Sequence, residues 1–367
     1  MTPRLPLPLL LLAAGALIRL LPGADPLDQE LLQDLVSAAL VLILFEGGLQ
    51  IGVRRIRAAA RPVLALGLLG TVGTVVAAAL VVHLVLGLSW YVCALIATAI
   101  APTDPAVVFS VLGGYQIEGR SGTVLEGESG ANDPVGISLM AALLAAGSLS
   151  GGAVADVATR FALQLVVGAA VGVIGGRLLL VLMHRLPLPL RVLHPLRVLV
   201  CAIAVFALAV PAHGSGFLAV FIAGIVLADE DPPHKREILR VYALLASAAE
   251  VLAFGLLGFS IELGVLARED VWVPGLLIAA ALIGLVRPLV GAPLLLGSGL
   301  PRGERGFVLL TGLKGAVPLL LGTMLLTLPN GSRLYGVVVV VVVVSVLLQG
   351  GLVAPLARLL KVPMREI

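Results

Sequence analysis

The stretch ALIATAIAPTDPAVVFSVLGG, residues 94–114, is an apolar run with two prolines bracketing Thr103 and Asp104 at its centre. Each proline removes an amide donor and pushes the residue before it out of the α region. The pattern predicts two half-helices joined by an extended crossing at Thr103 and Asp104. Pro105 suits the first position of the second half, and Asp104 suits its cap. The first half ends near Ala101 with free carbonyls. Such a break survives inside a bilayer only where it lines protein or a water-filled cavity. The rest of the chain decides whether a bilayer is the setting.

It does so by composition. The 367 residues are 60% hydrophobic and 12% charged, about half the charge fraction of a soluble globular chain. A soluble α/β enzyme is excluded, and an all-α polytopic membrane protein is predicted. Aromatic residues at 4% are too few, and the apolar runs too continuous, for a transmembrane barrel. A net charge of +3 gives no reason to expect a nucleic-acid partner. Cys93 and Cys201 lie in apolar runs and read as small buried hydrophobes.

Twelve apolar segments follow one another, at about 5–22, 31–50, 61–87, 90–113, 122–147, 157–184, 194–211, 215–229, 238–261, 271–298, 304–328 and 334–360. They are numbered here as spans 1 to 12, and most reach the ~20 residues needed to cross the hydrocarbon. Span 1 is read as retained rather than as a cleaved signal, because Arg19 interrupts its end and no A-x-A site follows. The run Val337 to Val344 favours a strand by propensity, but lipid leaves a lone strand unsatisfied, so helix is expected.

With the N-terminus in the cytoplasm, seventeen basic residues fall in cytoplasmic segments. They are Arg4, Arg54, Arg55, Arg57, Arg61, Arg120, Arg185, Arg191, Arg197, Lys235, Arg236, Arg240, Arg302, Arg305, Arg358, Lys361 and Arg365. Three, Arg160, Arg268 and Arg333, fall outside. One span more or fewer would scramble that asymmetry, so both ends are expected in the cytoplasm. Arg19, Arg177, Arg287 and Lys314 remain at membrane depth; the first two lie toward span ends and can snorkel.

Charges in hydrocarbon are costly and usually face a partner or a cavity. The core set is Asp104 in span 4, Glu128 and Asp133 in span 5, Arg287 in span 10 and Lys314 in span 11. Span 11 has its own weak point at TGLKGAVP, where Gly312, Gly315 and Pro318 permit unwinding. Lys314 would offset the negative end of a half-helix there, and Asp104 a positive one. Spans 4 and 11 run in opposite directions by the charge assignment. Two interrupted helices so related imply an inverted repeat with crossed breaks and a site at the midplane.

On a helical span 5, in GESGANDPVG, residues 127–136, Glu128 and Asn132 are four apart, as are Ser129 and Asp133. The two pairs form adjacent stripes, an oxygen-rich patch suited to hard cations. A carboxylate that can hold a proton or a cation, but not both well, is the physical core of exchange. Glu250 reads as a gate, a partner for a base, or a packing or cavity-lining residue. Glu46 reads as a solvated helix end or a funnel carboxylate. His83 and His213 read as ordinary histidines, and His234 as part of a solvated loop.

At these residues the chain resembles the NhaP-type monovalent cation/proton antiporters. TDPAVVFSVLGG is similar to that family's broken-helix motif, and LEGESGANDPVGI to its ion-site motif with the Asn-Asp pair. GSGFLAVFIAGIVLA, FGLLGFSIEL, VRPL, ERGFVLLTGLKGAVP and VSVLLQG follow in family order, so the resemblance covers nearly the whole chain. It implies that Asp133 is the shared cation and proton carboxylate. Asn132, Ser129 and Thr103 would supply or position oxygens, with Asp133, Ser129 and Thr103 as the cation ligands. Asp104 would balance the crossing helix ends, and Glu128 would pair with Arg287. Lys314 stands where the family usually has Arg, which keeps the charge and loses the planar fork. The Asn-Asp pair resembles the branch that exchanges one cation for one proton without net charge movement.

The resemblance further implies one transporter domain over residues 1–367, with a core of spans at about 61–147 and 271–360. The spans at about 1–50 and 157–261 would form a scaffold for a homodimer. No soluble regulatory domain is expected, and many relatives carry an extra first helix. No cofactor is expected beyond the transported Na+, Li+ or K+ and H+, with membrane lipid as the surroundings and a prokaryotic inner membrane as the location. Two other readings stay open. A Na+-driven symporter of an anionic organic substrate would use Arg287 and Lys314 as free bases. A membrane aspartyl hydrolase would use Asp104 and Asp133 as a carboxyl pair.

Overall fold

The computed structural model describes residues 6–112, 115–186, 188–230 and 234–366. Arg4, the closing Gly113 and Gly114 of the broken-helix motif, and Asp231 to Pro233 of the loop before span 9 lie outside the described residues. Each apolar segment is helical over most of its described length. Among the described residues, seven helices are long and apolar enough to cross a membrane: Gln29–Ala58, Ala60–Leu86, Trp90–Leu112, Ala153–Arg185, Lys235–Phe259, Asp270–Leu294 and Gly331–Leu359. Leu7–Ile18, Leu193–Ala209, Gly216–Ala228 and Ala316–Thr327 are shorter apolar helices. Span 5, Gly119–Ala146, has the length as well, but Glu126, Glu128 and Asp133 lower its hydropathy.

The caps follow side-chain chemistry. Asp28 accepts the amides of Glu30 and Leu31 at the start of span 2, and Ser89 accepts that of Val92 at the start of span 4. Spans 3 and 5 end on left-handed Gly87 and Gly147. Spans 3 and 10 each contain a π-helical turn, at Ala65–Gly70 and Leu282–Val286. Eight successive valines do form helix, inside Gly331–Leu359, and all but Val343 are buried.

Span 2 runs further than its apolar stretch, with a kink at Gly52, whose φ of 72° and ψ of 159° suit glycine alone. Spans 2 and 8 pack backbone to backbone, since a methyl on Gly48 or Gly224 would strike the carbonyl of Phe221 or Phe45. The chain is not purely helical: Tyr115–Ile117 pairs antiparallel with Met364–Glu366. This small sheet ties the loop before span 5 to the segment after span 12.

The basic segments gather at one end. Arg55 meets Glu126 there, Arg120 donates to the carbonyl of Ala58, and Arg365 lies 3.9 Å from Glu118. At the other end Gln29 donates to the carbonyl of Thr323. Arg19 turns back to the carbonyl of Ala24 and lies over the Phe259 ring.

Candidate functional site

Span 4 is interrupted between Trp90–Ile100 and Pro105–Leu112, and span 11 between Arg302–Leu310 and Ala316–Thr323. The two interruptions touch. The amide of Asp104 donates to the carbonyl of Leu313 at 2.8 Å, and Lys314 Nζ donates to the carbonyl of Ala101 at 2.8 Å. A buried ammonium thus sits on the carbonyl end of the first half of span 4, where the helix dipole is negative. Asp104 Oδ1 accepts the amide of Ala106 at 2.8 Å and caps the second half. Its carboxylate packs against Gly315, which leaves no space for a Cβ.

Span 12 completes the joint. Ser345 and Gln349 are buried side chains on that valine-rich helix. Gln349 donates to the carbonyl of Leu310, the last residue of the first half of span 11, at 2.9 Å. Ser345 donates to Gln349 Oε1 at 2.6 Å and accepts the amide of Lys314 at 3.3 Å. Buried backbone groups freed by a break need such partners.

Span 5 presents two faces to this joint. Asn132 accepts the amide of Thr103 at 3.3 Å and donates to Thr103 Oγ1 at 2.7 Å, while Ser129 donates to the Thr103 carbonyl at 2.6 Å. Every polar group of Thr103 is therefore engaged by span 5. Glu128 faces away and pairs with Arg287. One oxygen meets Nη1 closely and Oε2 lies 3.0 Å from Nη2. Nη2 also donates to the carbonyl of Val308 at 3.3 Å.

Asp133 differs from all of these. Its carboxylate has no hydrogen bond among the described residues, and it interacts electrostatically with Asp104 and Lys314. It lines a cavity of ≈ 590 Å3 that reaches from the end bearing the basic segments down to the breaks. One wall comes from spans 2, 8 and 9 and includes Glu46, Gln50, Ser247 and Glu250; the other comes from spans 4, 5 and 11 and includes Asp104, Glu126, Ser129 and Asp133. Five carboxyl groups thus line the cavity, and among the described residues no base does. Such a chamber concentrates cations, and its oxygens suit hard ones. Thr103 and Asn132 stand behind the lining, where they hold the break against span 5.

Sequence reasoning did not single out Glu126, Arg55, Ser345 or Gln349. A signal existed for Glu126, which stands three residues before Ser129 and seven before Asp133, on one helical face. Glu46 and Glu250, each open to several readings, are cavity-lining residues.

Two joined discontinuous helices around a carboxylate with no hydrogen bond form an arrangement that many secondary transporters use. The chain belongs to the transmembrane sodium/hydrogen exchanger family, whose profile matches residues 2–359. It is 36% identical over 331 residues to the K(+)/H(+) antiporter NhaP of Alkalimonas amylolytica, covering 89% of this chain and 57% of that protein. It is 31% identical over 372 residues to the K(+)/H(+) antiporter NhaP2 of Shewanella sp. (strain MR-4), covering 98% and 63%. The chain thus spans about three fifths of the length of these relatives. Its fold is similar to that of the sodium proton antiporter MjNhaP1 from Methanocaldococcus jannaschii, with a TM-score of 0.77 and 22% identity over 96% of this chain and 91% of that one.

Proposed function

We propose that this chain is a secondary antiporter that exchanges a monovalent cation for H+ at Asp133 by alternating access, one for one. The observation that carries the reading is the unpaired Asp133 carboxylate at the base of an acid-lined cavity, beside the joined breaks. Either a proton or a cation neutralises it there, and the two compete. Ser129 and Asp104 line the same space and are placed to add oxygens. Thr103 and Asn132 act by holding the crossing in register, and Thr103 can lend an oxygen only alongside its bonds to span 5. Glu128 and Arg287 support the core.

The two walls of the cavity support a division into two working parts. Spans at about 61–147 and 271–360 form a mobile core, and spans at about 1–50 and 157–261 form a scaffold that carries a homodimer contact. With the basic end in the cytoplasm, the cavity opens inward, both ends lie in the cytoplasm, and the setting is a prokaryotic plasma membrane with its lipid. The curated relatives named above are K+/H+ antiporters, which supports placing K+ first in any cation panel. A symporter of anions is disfavoured, because Arg287 is paired with Glu128 and Lys314 is bound to Ala101.

The test uses purified protein in liposomes with an imposed pH gradient. K+, Na+ and Li+ are added in turn at several pH values. At least one should collapse the gradient in the wild type and none in Asp133→Asn. A wild type that responds to no cation, or a Asp133→Asn protein that responds fully, would falsify the proposal.

A further inference from the structure

The helical segment that follows the Gly52 kink in span 2 is tied down on both sides. On its own wall, Asp229 at the end of span 8 accepts the amide of Arg54 at 2.5 Å. A side chain on Gly52 would collide with that same carboxylate. Across the mouth of the cavity, Arg55 Nη2 reaches Glu126 at 2.9 Å and Thr123 Oγ1 at 3.2 Å, both on span 5. Arg55 Nη1 meanwhile holds the carbonyl of Gln50 at 3.1 Å. Arg120, at the start of span 5, returns the contact by donating to the carbonyl of Ala58 at 3.1 Å.

Gln50 and Glu126 line opposite walls of the cavity, so these bonds join the two walls at its open end. We infer that Arg55 is a positioning residue for transport: with Glu126, Thr123 and Arg120 it forms a latch that holds the cavity open at this end, and the latch must part before the other face opens. The inference rests on the antiport reading and adds the element that sets the balance between the two facing states.

The chemistry suits a reversible contact. Arg55 is 43% exposed and Glu126 12%, so the pair is partly solvated and its contribution is small enough to be broken in each cycle. A deeply buried pair such as Glu128–Arg287 would hold too firmly to serve. At the closed end the same walls meet through neutral contacts, Gln29 to Thr323 and Ser260 to Tyr335.

The test reads the state directly and does not need transport. Ser247, on the wall opposite Glu126, is changed to cysteine in a Cys93→Ala, Cys201→Ala background, and its rate of modification by a water-soluble maleimide is measured in detergent. Arg55→Ala and Arg55→Glu should each slow labelling about 2–5-fold, the shift in population that a partly exposed pair can impose. The exchanged pair Arg55→Glu, Glu126→Arg should return the rate to within about twofold of the parent. In liposomes the single variants should raise the cation concentration for half-maximal exchange by a similar factor, and the exchanged pair should restore it. Labelling that is unchanged in Arg55→Ala, or that stays as slow in the exchanged pair as in Arg55→Glu, overturns the latch. A parent protein that exchanges no cation overturns the antiport proposal instead, and the labelling rates still decide the latch.

Discussion

Breaking the Glu128–Arg287 pair should be one of the most damaging single changes in the core, and removing the pair entirely should be among the mildest. Glu128 is 2% exposed and Arg287 11%, and the guanidinium meets the carboxylate through two nitrogens. A neutral intramembrane hydrogen bond contributes only ~0.6 kcal/mol on average. Truncating one partner of a buried ion pair costs about 3–5 kcal/mol, because the other charge is stranded. Glu128→Gln strands Arg287, whose Nε is already buried without a partner among the described residues. Replacing both by methionine leaves no stranded charge and keeps much of the volume, so stability should return to within roughly 1–2 kcal/mol of wild type. Equilibrium unfolding in mixed detergent micelles of wild type, the two single methionine variants and the methionine pair gives the four corners of the cycle, with an expected coupling of about 4 kcal/mol or more. The methionine pair should also keep cation/proton exchange in liposomes. If Glu128→Gln is as stable as wild type, the stranded-charge argument fails. If the methionine pair folds normally but exchanges nothing, these residues act on the ion, and their assignment as supports is wrong.

Three further outcomes follow from the joint between the breaks. Gly315→Ala places a methyl on the Asp104 carboxylate; unfolding titrations should show a loss of about 1–3 kcal/mol and gradient-collapse assays a loss of exchange. Gln349→Leu leaves the Leu310 carbonyl without its donor, which should cost about 1–3 kcal/mol in the same titration. Lys314→Arg keeps a cation at the Ala101 carbonyl and should retain exchange, whereas Lys314→Met should abolish it in the same liposomes; equal activity in both would remove the electrostatic role given to that ammonium.

The interruptions are legible in the sequence because their causes are local. Pro102 and Pro105 deny amides to their neighbours, and Gly312 and Gly315 weaken span 11, so two short words mark the centre of the molecule. The acids of span 5 are legible as a set, but their division is not. Glu128 and Asp133 are similar carboxylates five residues apart, and what separates them is the partner each meets, a base on span 10 or an open cavity. Helical spacing groups Glu126 with Ser129 and Asp133, yet cannot say that this face, and not the next, meets water. Gln349 and Ser345 are harder still, because their task is set by carbonyls and amides of another span. The kink at Gly52 hides in a run that continues as helix on both sides, and the π turns of spans 3 and 10 carry no residue signature of their own. The pairing of Tyr115–Ile117 with Met364–Glu366 joins segments almost 250 residues apart, beyond the reach of any local pattern.

The hydrogen bond from Asp104 to Leu313 has an electrical consequence. It ties the two breaks into one body, so Asp104, Lys314 and the neighbouring Asp133 would travel together relative to the opposite wall. The Glu128–Arg287 pair within the same group of spans is neutral as a unit. At the joint itself, with both aspartates ionised and Lys314 protonated, these three groups sum to one negative charge. On the proposed exchange, a bound proton or a bound monovalent cation would bring that sum to zero, and the joint in either loaded form would cross without feeling the membrane voltage. The empty form would feel it, at about 2.3 kcal/mol for a full charge carried through 100 mV. A carrier built this way moves alike with either passenger and resists moving with none.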